Sequence, residues 1–221
     1  MNVKKKEWLA MLLCGALIVG MTQAVMPVSV HAKMDEIKKA DGLSPAMVQL
    51  KADMQRAWID HTIWTRSYIV SALSNLPDQK DVLARLLKNQ QDIGDVIKPY
   101  YGEAAGSKLT ALLKEHILIA GKIVAAAKEG HSSDVKKLEA EWHKNADDIA
   151  KFLSGANPNW DFKELQDMLY THLQLITEIV LDRIKGDWTA DIAATDKNEI
   201  HMIHLADILT EGMVKQFPEK F

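Results

Sequence analysis

Residues 109–124 read LTALLKEHILIAGKIV and residues 165–180 read LQDMLYTHLQLITEIV, with a histidine at the same place in both segments. Residues 54–69, MQRAWIDHTIWTRSYI, follow the same pattern. Apolar residues recur in each segment at steps of three and four, which is the spacing of one buried helix face. The sequence therefore predicts three amphipathic helices with a histidine midway along each buried face: His61, His116 and His172.

A second pattern lies between these helices, an Asp-Ile pair with a polar residue three positions before the aspartate. It reads Asn89-Gln-Gln-Asp92-Ile93, Asn145-Ala-Asp-Asp148-Ile149 and His204-Leu-Ala-Asp207-Ile208. Segments 82–124 and 138–180 align without a gap and are identical at 10 of 43 positions, which is more than chance gives. The predicted unit is a helical hairpin of about 56 residues that is used three times.

The predicted fold class is all-α, a six-helix bundle built from three helical-hairpin repeats. No segment shows sustained alternation of apolar and polar residues, the period typical of strands. The repeats cover about residues 45–98, 103–154 and 161–216, and Pro99-Tyr-Tyr-Gly102 is predicted to separate helices two and three. We expect one closed bundle rather than an open array, because three repeats make a poor solenoid.

The first 32 residues have the pattern of a secretory signal peptide. Three lysines at 4–6 precede an apolar run over 8–19, and small residues precede a predicted cleavage site after Ala32. An uncleaved membrane anchor is the alternative, although the run is shorter than the ~20 residues of a spanning helix. Lipid attachment at Cys14 is disfavoured because Leu13 precedes it. The expected location is extracytoplasmic, secreted or associated with the cell envelope.

Residues 33–43 are predicted to be a flexible tether, and the helical bundle is predicted to cover residues 44–217. Cys14 is the only cysteine, so the cleaved chain has neither disulfides nor thiolate metal ligands. Cleavage removes three lysines and Glu7, which leaves 24 basic and 29 acidic residues, a net charge of −5. This balance argues against nucleic acid as a partner. No transmembrane helix is expected after cleavage, and the sequence identifies no protein partner.

The repeated polar residues are the candidate functional site. Because the middles of two antiparallel helices meet, three contacts are expected: His61 with Asp92, His116 with Asp148, and His172 with Asp207. Neutral imidazoles bind zinc, iron, copper or nickel, and a carboxylate on the other ring nitrogen is a usual partner. The candidate metal site therefore comprises these six residues, with His204 as a possible fourth nitrogen.

A small organic ligand is the other use for a polar core. Asn89 and Asn145 lie on the apolar faces of helices two and four, and Trp64 and Trp142 lie on apolar stripes. These four residues are the candidate ligand contacts, although tryptophans at such positions more often belong to the core.

The leading hypothesis is an exported helical-bundle binding protein whose His/Asp core holds a metal ion or a small ligand. One alternative is a structural envelope protein whose buried polar groups satisfy one another. Another is a metal-dependent hydrolase or transferase, which needs an open coordination position and a cleft. The sequence contains no glycine-rich phosphate loop, Gly-x-Ser-x-Gly motif or cysteine nucleophile, so a non-enzymatic role is favoured and no catalytic residue is assigned.

Three segments carry a family resemblance: Trp58-Ile-Asp-His61-Thr-Ile-Trp64, Lys98-Pro-Tyr-Tyr-Gly102 and Ala156-Asn-Pro-Asn-Trp160. With the Asn-x-x-Asp-Ile motifs, they resemble an uncharacterised family of exported all-helical proteins of Gram-positive bacteria. The resemblance covers nearly the whole mature chain and implies export and a helical fold. Labels attached to that family, glycosyltransferase and acetylglutamate kinase, describe α/β enzymes, whose strands and nucleotide loops this sequence does not show.

Overall fold

The computed structural model describes residues 42–221, which form a bundle of five helices. These are α1 (Pro45–Leu73), α2 (Gln79–Lys128), α3 (Ser132–Ala156), α4 (Phe162–Lys185) and α5 (Trp188–Gln216), followed by a 3-10 turn at Pro218–Lys220. No strand occurs in this part of the chain, which confirms the all-α prediction. The predicted signal peptide and most of the predicted tether fall on residues 1–41, which lie outside the described residues.

Short polar side chains and glycine set several helix ends. Ser44 accepts a hydrogen bond from the backbone N–H of Met47 at 3.1 Å, and Pro45 occupies the first helical position, as this sequence pair predicts. Asp161 caps the start of α4 in the same way. Gly186 ends α4 with φ 76°, in the left-handed region that glycine adopts without strain.

The chain reverses direction within α2, at a single non-helical residue. Gly102, three residues after Pro99, has φ 82° and ψ 167°. A break between helices two and three was predicted here, but the two segments form one helical element with a reversal inside it. A Cβ atom built on Gly94 would lie 2.6 Å from the carbonyl oxygen of Gly106. In a straight helix these glycines would stand about 18 Å apart. The helix therefore folds back into a first arm, residues 79–101, and a second arm, residues 103–128.

Helix packing closes the bundle into a ring. Each helix packs against the next in the chain, and α1 also packs against α5. Because the first and last helices are in contact, the fold is a closed bundle and not an open array, as expected. None of the helices within residues 42–221 combines the length and apolar character needed to cross a membrane.

Loop aromatics cover the end of the bundle where α2 reverses. Tyr101 packs against Trp160, with ring centres 5.6 Å apart, and against Phe217 at 5.2 Å. The Trp160 indole N–H donates to the carbonyl of Leu209 on α5, and the Tyr101 hydroxyl donates to Gln216 at 2.8 Å. These contacts hold the reversal of α2, the loop before α4 and the C-terminal segment against the core.

A buried carboxylate joins three helices near the other end. Asp191 on α5 is 1% exposed, and its Oδ2 accepts from Arg66 of α1 at 2.8 Å and from Arg183 of α4 at 2.9 Å. Two guanidinium groups around one buried carboxylate hold α5 against both neighbours, since removal of a buried ionic partner leaves unpaired charge.

Candidate functional site

The three repeated histidines meet inside the bundle. His61 comes from α1, His116 from the second arm of α2 and His172 from α4, and their side chains are 2%, 4% and 3% exposed. The ring centre of His172 lies 5.5 Å from that of His61 and 6.2 Å from that of His116. We call these residues the histidine trio. The sequence pattern placed each of them on a buried helix face, and the tertiary fold brings the three faces together.

Asparagine side chains hold two of the three rings. His116 Nδ1 lies 2.8 Å from Asn145 Oδ1, and His172 Nδ1 lies 2.8 Å from Asn198 Oδ1. Asn145 Nδ2 donates to the carbonyl of Leu112 at 3.2 Å, so the amide oxygen must be the atom that faces the imidazole. An amide oxygen only accepts hydrogen bonds, so Nδ1 carries the proton and Nε2 keeps its lone pair.

The contacts of His61 differ because a glutamine, Gln90, also contacts this ring. Gln90 Nε2 lies 3.3 Å from His61 Nδ1 and donates to Asn89 Oδ1 at 3.1 Å and to the carbonyl of Leu86 at 2.8 Å. Asn89 Nδ2 donates to the carbonyl of Ala57 at 2.9 Å. Asn89 Oδ1 therefore accepts from the Gln90 amide, a hydrogen bond that the asparagines beside His116 and His172 do not make.

The contacts between α4 and α5 differ in the donor to a helix carbonyl. Ala57 and Leu112 each stand four residues before a trio histidine, and an asparagine amide donates to both carbonyls. The corresponding carbonyl, that of Met168, instead accepts from His201 Nε2 at 2.7 Å. Asn198 Nδ2 consequently has no hydrogen-bond partner although Asn198 is fully buried.

The expected contacts between histidines and aspartates are wrong. Asp92 pairs with Lys88 and Arg85, and Asp148 pairs with Lys144 at 2.7 Å. All three expected aspartates are partly or largely exposed. A carboxylate turns toward water and lysine when the helix allows it, because burial of its charge is costly.

Asp207 also lies away from the histidine trio. Its carboxylate accepts from Gln55 at 2.7 Å and pairs with Lys51 at 3.3 Å, both on α1. His204, expected to supply a fourth nitrogen, is exposed to solvent. Asn198, six residues before His204, is the α5 residue that contacts His172, as Asn145 of α3 contacts His116. The signal was present in the sequence, since Asn198 stands four residues before an apolar residue, Met202, as Asn145 does before Ile149.

Burial keeps the trio uncharged. Loss of hydration lowers the pKa of His61 from 6.5 to about 3, with a smaller contribution from His116. Burial also lowers the pKa of His116 to about 4. The pKa of His172 falls well below 6.5, first through burial and then through the neighbouring His61 and His116. Imidazoles that stay neutral retain the lone pair needed to bind a metal ion.

Several unpartnered polar atoms surround the trio. The indole N–H groups of Trp58 and Trp142 are buried without acceptors, and Gln90 Oε1 is buried without a donor. Trp58 packs 5.6 Å from the His61 ring and Trp142 5.1 Å from the His116 ring. Buried polar atoms without partners are uncommon and often mark an ordered water or an ion.

The other candidate ligand contacts are spread over the bundle. Asn89 and Asn145 hold the network around the trio, and Trp142 packs on it. Trp64 lies at the bundle surface, half-buried, with the Arg85 guanidinium 5.1 Å from its ring centre. These four residues therefore do not enclose one common ligand site.

The core near the trio offers little space for an organic molecule. An enclosed cavity of about 10 Å³ is lined by apolar side chains including Met54, Trp58 and Leu169, and this volume is that of about one water-sized sphere. Three open grooves of 510 to 540 Å³ are lined by other residues and do not include the trio. Within residues 42–221, no three His, Cys, Asp or Glu side chains stand together as metal ligands.

No protein family model, characterised protein or solved structure shows significant similarity to this chain.

Proposed function

We propose that this protein is an extracytoplasmic binding protein whose histidine trio takes up one transition-metal ion: zinc, iron, copper or nickel. The observation that carries the proposal is the convergence of three neutral, buried imidazoles from three different helices. Two of these rings are held through Nδ1 by amide oxygens, which leaves Nε2 available as a ligand. An acceptor on the far nitrogen is the usual support for a metal-bound histidine.

The ring separations are close to those of a three-histidine site. A Zn–N distance near 2.1 Å, with about 1.1 Å from nitrogen to ring centre, puts tetrahedrally arranged rings about 5 Å apart. The observed separations are 5.5 and 6.2 Å. For a metal ion to bind, His172 and each of its two neighbouring rings must therefore approach by about 1 Å or less, and the imidazoles must rotate toward a common point.

The trio's surroundings support a metal ion over an organic ligand. A metal ion needs no cavity beyond the space between its ligands, whereas a drug-sized molecule needs about 300 Å³ or more. The unpaired indole N–H groups of Trp58 and Trp142 stand against the two outer rings. Such donors suit a water or anion that completes the coordination of a buried metal ion.

We infer that three duplicated hairpins produced this arrangement. The two arms of α2 act as separate helices, so that each hairpin contributes one histidine and one asparagine: His61 with Asn89, His116 with Asn145, and His172 with Asn198. Spacings of 55 and 56 residues between the histidines support this origin. The threefold repetition would make a three-ligand site from a single ancestral pair. The signal-peptide pattern supports export.

A structural polar core is the second candidate. It is favoured by the hydrogen bonds that already occupy Nδ1 of each histidine and by the wider separation of His116 from His172. In this case the trio specifies how the helices pair, and no ligand is bound. An enzyme is less well supported, because the described grooves larger than 500 Å³ are lined by residues outside the trio.

Metal content and thermal stability separate the two candidates. We expect the purified chain to retain about one metal ion through gel filtration, measured by elemental analysis, and to melt at lower temperature after chelation. The physical reason is that a metal ion held by side chains of three helices binds the folded state and not the unfolded state, and so stabilises the fold. Metal well below one per chain after incubation with zinc, copper or nickel, with an unchanged melting temperature, would support the structural core.

Variants locate the metal ion. His116→Ala is expected to lose metal, and His116→Asn keeps a polar group of smaller size in case the alanine variant does not fold. His131→Ala is the matched control because His131 is 57% exposed. Equal metal content in the trio variants and in the control would contradict a site at the trio.

A further inference from the structure

We propose that the groove between α3 and α4 is the route by which a metal ion reaches the histidine trio, and that the Trp142 side chain closes this route. The identity of the ion rests on the proposed function, whereas access to His116 from this groove does not.

The trio can take up an ion only if the bundle opens locally. His61, His116 and His172 are 2%, 4% and 3% exposed, so solvent does not reach them in the closed fold. A buried metal site needs an entry path, and local opening costs least where packing is least extensive. Among successive helices of the ring, α3 and α4 make the least extensive contact. The seam between these two helices is therefore the place where opening is easiest.

Trp142 lies between the trio and the groove along this seam, which we call the α3–α4 groove. The groove has a volume of about 510 Å³, and Trp142 lines it. The Trp142 ring also packs on His116, with ring centres 5.1 Å apart. Of the three open grooves of this size within residues 42–221, it alone is lined by an aromatic ring that packs on a trio histidine. Displacement of the Trp142 indole therefore opens His116 to the groove.

Packing alone holds the Trp142 indole in place. The side chain is 3% exposed, yet its Nε1–H has no acceptor. Trp160 shows the contrast, because its indole N–H donates to the carbonyl of Leu209 at 3.3 Å. Movement of Trp160 would leave that buried bond unmade, which is costly. Movement of Trp142 breaks no hydrogen bond of the indole, and water in the groove supplies the missing acceptor.

One carboxylate joins the two helices at the seam. Asp147 Oδ1 on α3 accepts from Gln166 Nε2 at 2.7 Å and from the Tyr170 hydroxyl at 2.8 Å, both on α4. All three side chains are partly exposed. Water can replace such bonds when the helices separate, so each opposes opening only modestly.

The charge of the α3–α4 groove suits a cation. Glu139, Asp167 and Glu178 line it, and among the described residues no lysine or arginine does. Asp167 pairs with Lys163 outside the groove, whereas Glu139 and Glu178 are half-buried. Carboxylates around a cleft raise the local concentration of cations.

Chemical modification measures access to His116 without any metal. Diethyl pyrocarbonate modifies neutral imidazoles that it can reach, and peptide mass spectrometry gives the rate at each histidine. We expect Trp142→Ala to raise the rate at His116 by about tenfold or more, because loss of the indole removes the barrier to the groove. Trp58→Ala is the matched control: Trp58 packs on His61 but lines the enclosed apolar cavity, so the rate at His61 should not rise.

Asp147→Ala tests the seam without altering Trp142. Loss of two hydrogen bonds between α3 and α4 should raise the rate at His116 by about tenfold. Asp148→Ala is the control, because Asp148 pairs with Lys144 on its own helix. Circular dichroism confirms that each variant is folded. An unchanged rate at His116 in folded Asp147→Ala, or an equal rise in Asp148→Ala, would overturn the route.

Stopped-flow zinc binding tests whether an ion uses the route. We expect Asp147→Ala to raise the association and dissociation rates of zinc together, by about tenfold, with a smaller change in affinity, because a gate acts on entry and exit alike. Zinc rates equal to those of the unmodified chain, despite faster modification of His116, would overturn metal entry through this groove. Faster modification of His116 with zinc bound by none of the proteins would refute the metal function and leave access through the groove standing.

Discussion

Mild acid should unfold this protein through its histidine trio. Each buried ring has a folded-state pKa far below the ordinary value of 6.5: about 3 for His61, about 4 for His116, and well below 6.5 for His172. Between pH 6.5 and these folded-state pKa values, the unfolded chain therefore binds more protons than the folded chain. Stability is fully present above pH 6.5 and falls as the pH is lowered toward the folded-state pKa values.

At pH 5 the loss of stability depends almost entirely on the unfolded state, in which the histidines take up protons. One histidine with an unfolded pKa near 6.5 and a folded pKa of 4 or less costs about 2 kcal/mol on going from pH 7 to pH 5. His61 and His116 together cost about 4 kcal/mol, and His172 adds to this loss in the same direction, whereas the whole stability of a typical domain is about 5–15 kcal/mol. The folded-state pKa values hardly affect this figure, because at pH 5 the His61 and His116 rings of the folded protein are almost entirely neutral.

Urea unfolding at several pH values between 7.5 and 5 measures this effect. The slope of the unfolding free energy against pH reports the protons taken up on unfolding, and we expect about two or more per chain near pH 5. Most carboxylate titration, which is centred near pH 4, lies below this pH range. His131→Ala should leave the slope unchanged, because His131 is exposed. An unfolding free energy that is constant between pH 7 and pH 5 would refute the reasoning.

Three further predictions concern particular side chains, each measured by urea or thermal unfolding at pH 7. Asn145→Leu should destabilise the protein by about 2 kcal/mol or more, because it leaves a buried imidazole N–H without an acceptor. Asp148→Ala should change stability little, because that carboxylate only pairs with an exposed lysine. A larger loss in Asp148→Ala than in Asn145→Leu would favour the His–Asp contacts expected from sequence. Gly212→Ala should cost about 1–3 kcal/mol, since the added methyl would lie 2.0 Å from the buried indole nitrogen of Trp160. Gly155→Ala, with open space around it, should stabilise its helix by about 0.5–1 kcal/mol. Equal effects of the two changes would contradict the close packing of Trp160 on Gly212. Asp191→Ala should cost about 3–5 kcal/mol because it leaves two arginines without their buried partner, and a loss below 1 kcal/mol would show that the cluster is not buried in solution.

Sequence pattern located the histidines but not their partners. Helical periodicity assigns a residue to a buried face, and His61, His116 and His172 are indeed buried. The aspartates stand three residues after the asparagines, at the margin of the same face, where a side chain can turn inward or outward. A lysine stands four residues before both Asp92 and Asp148, and that spacing favours ion pairs on a helix surface. This spacing was the sequence signal that the two aspartates face solvent.

The partner of His172 was predicted wrongly for a related reason. The Asp-Ile pair in α5 predicted His204 as the residue that matches Asn89 and Asn145. The connection between α4 and α5 is shorter, however, and places Asn198 opposite His172. A two-residue motif on a helix surface is weaker evidence than a buried polar residue. Loop length shifts the register along the chain without changing which residues meet in space.

By itself, the sequence determined an all-helical fold, because periodicity of three and four residues and capping side chains are local properties of the chain. It also determined that one histidine lies inside each repeated helix. Only the tertiary structure decided that the three histidines share one place in the core, that amides and not carboxylates hold them, and that Gln90 makes one of them different. Those outcomes depend on distances between residues far apart in the chain, and on the lower cost of burying a neutral amide than a charged carboxylate.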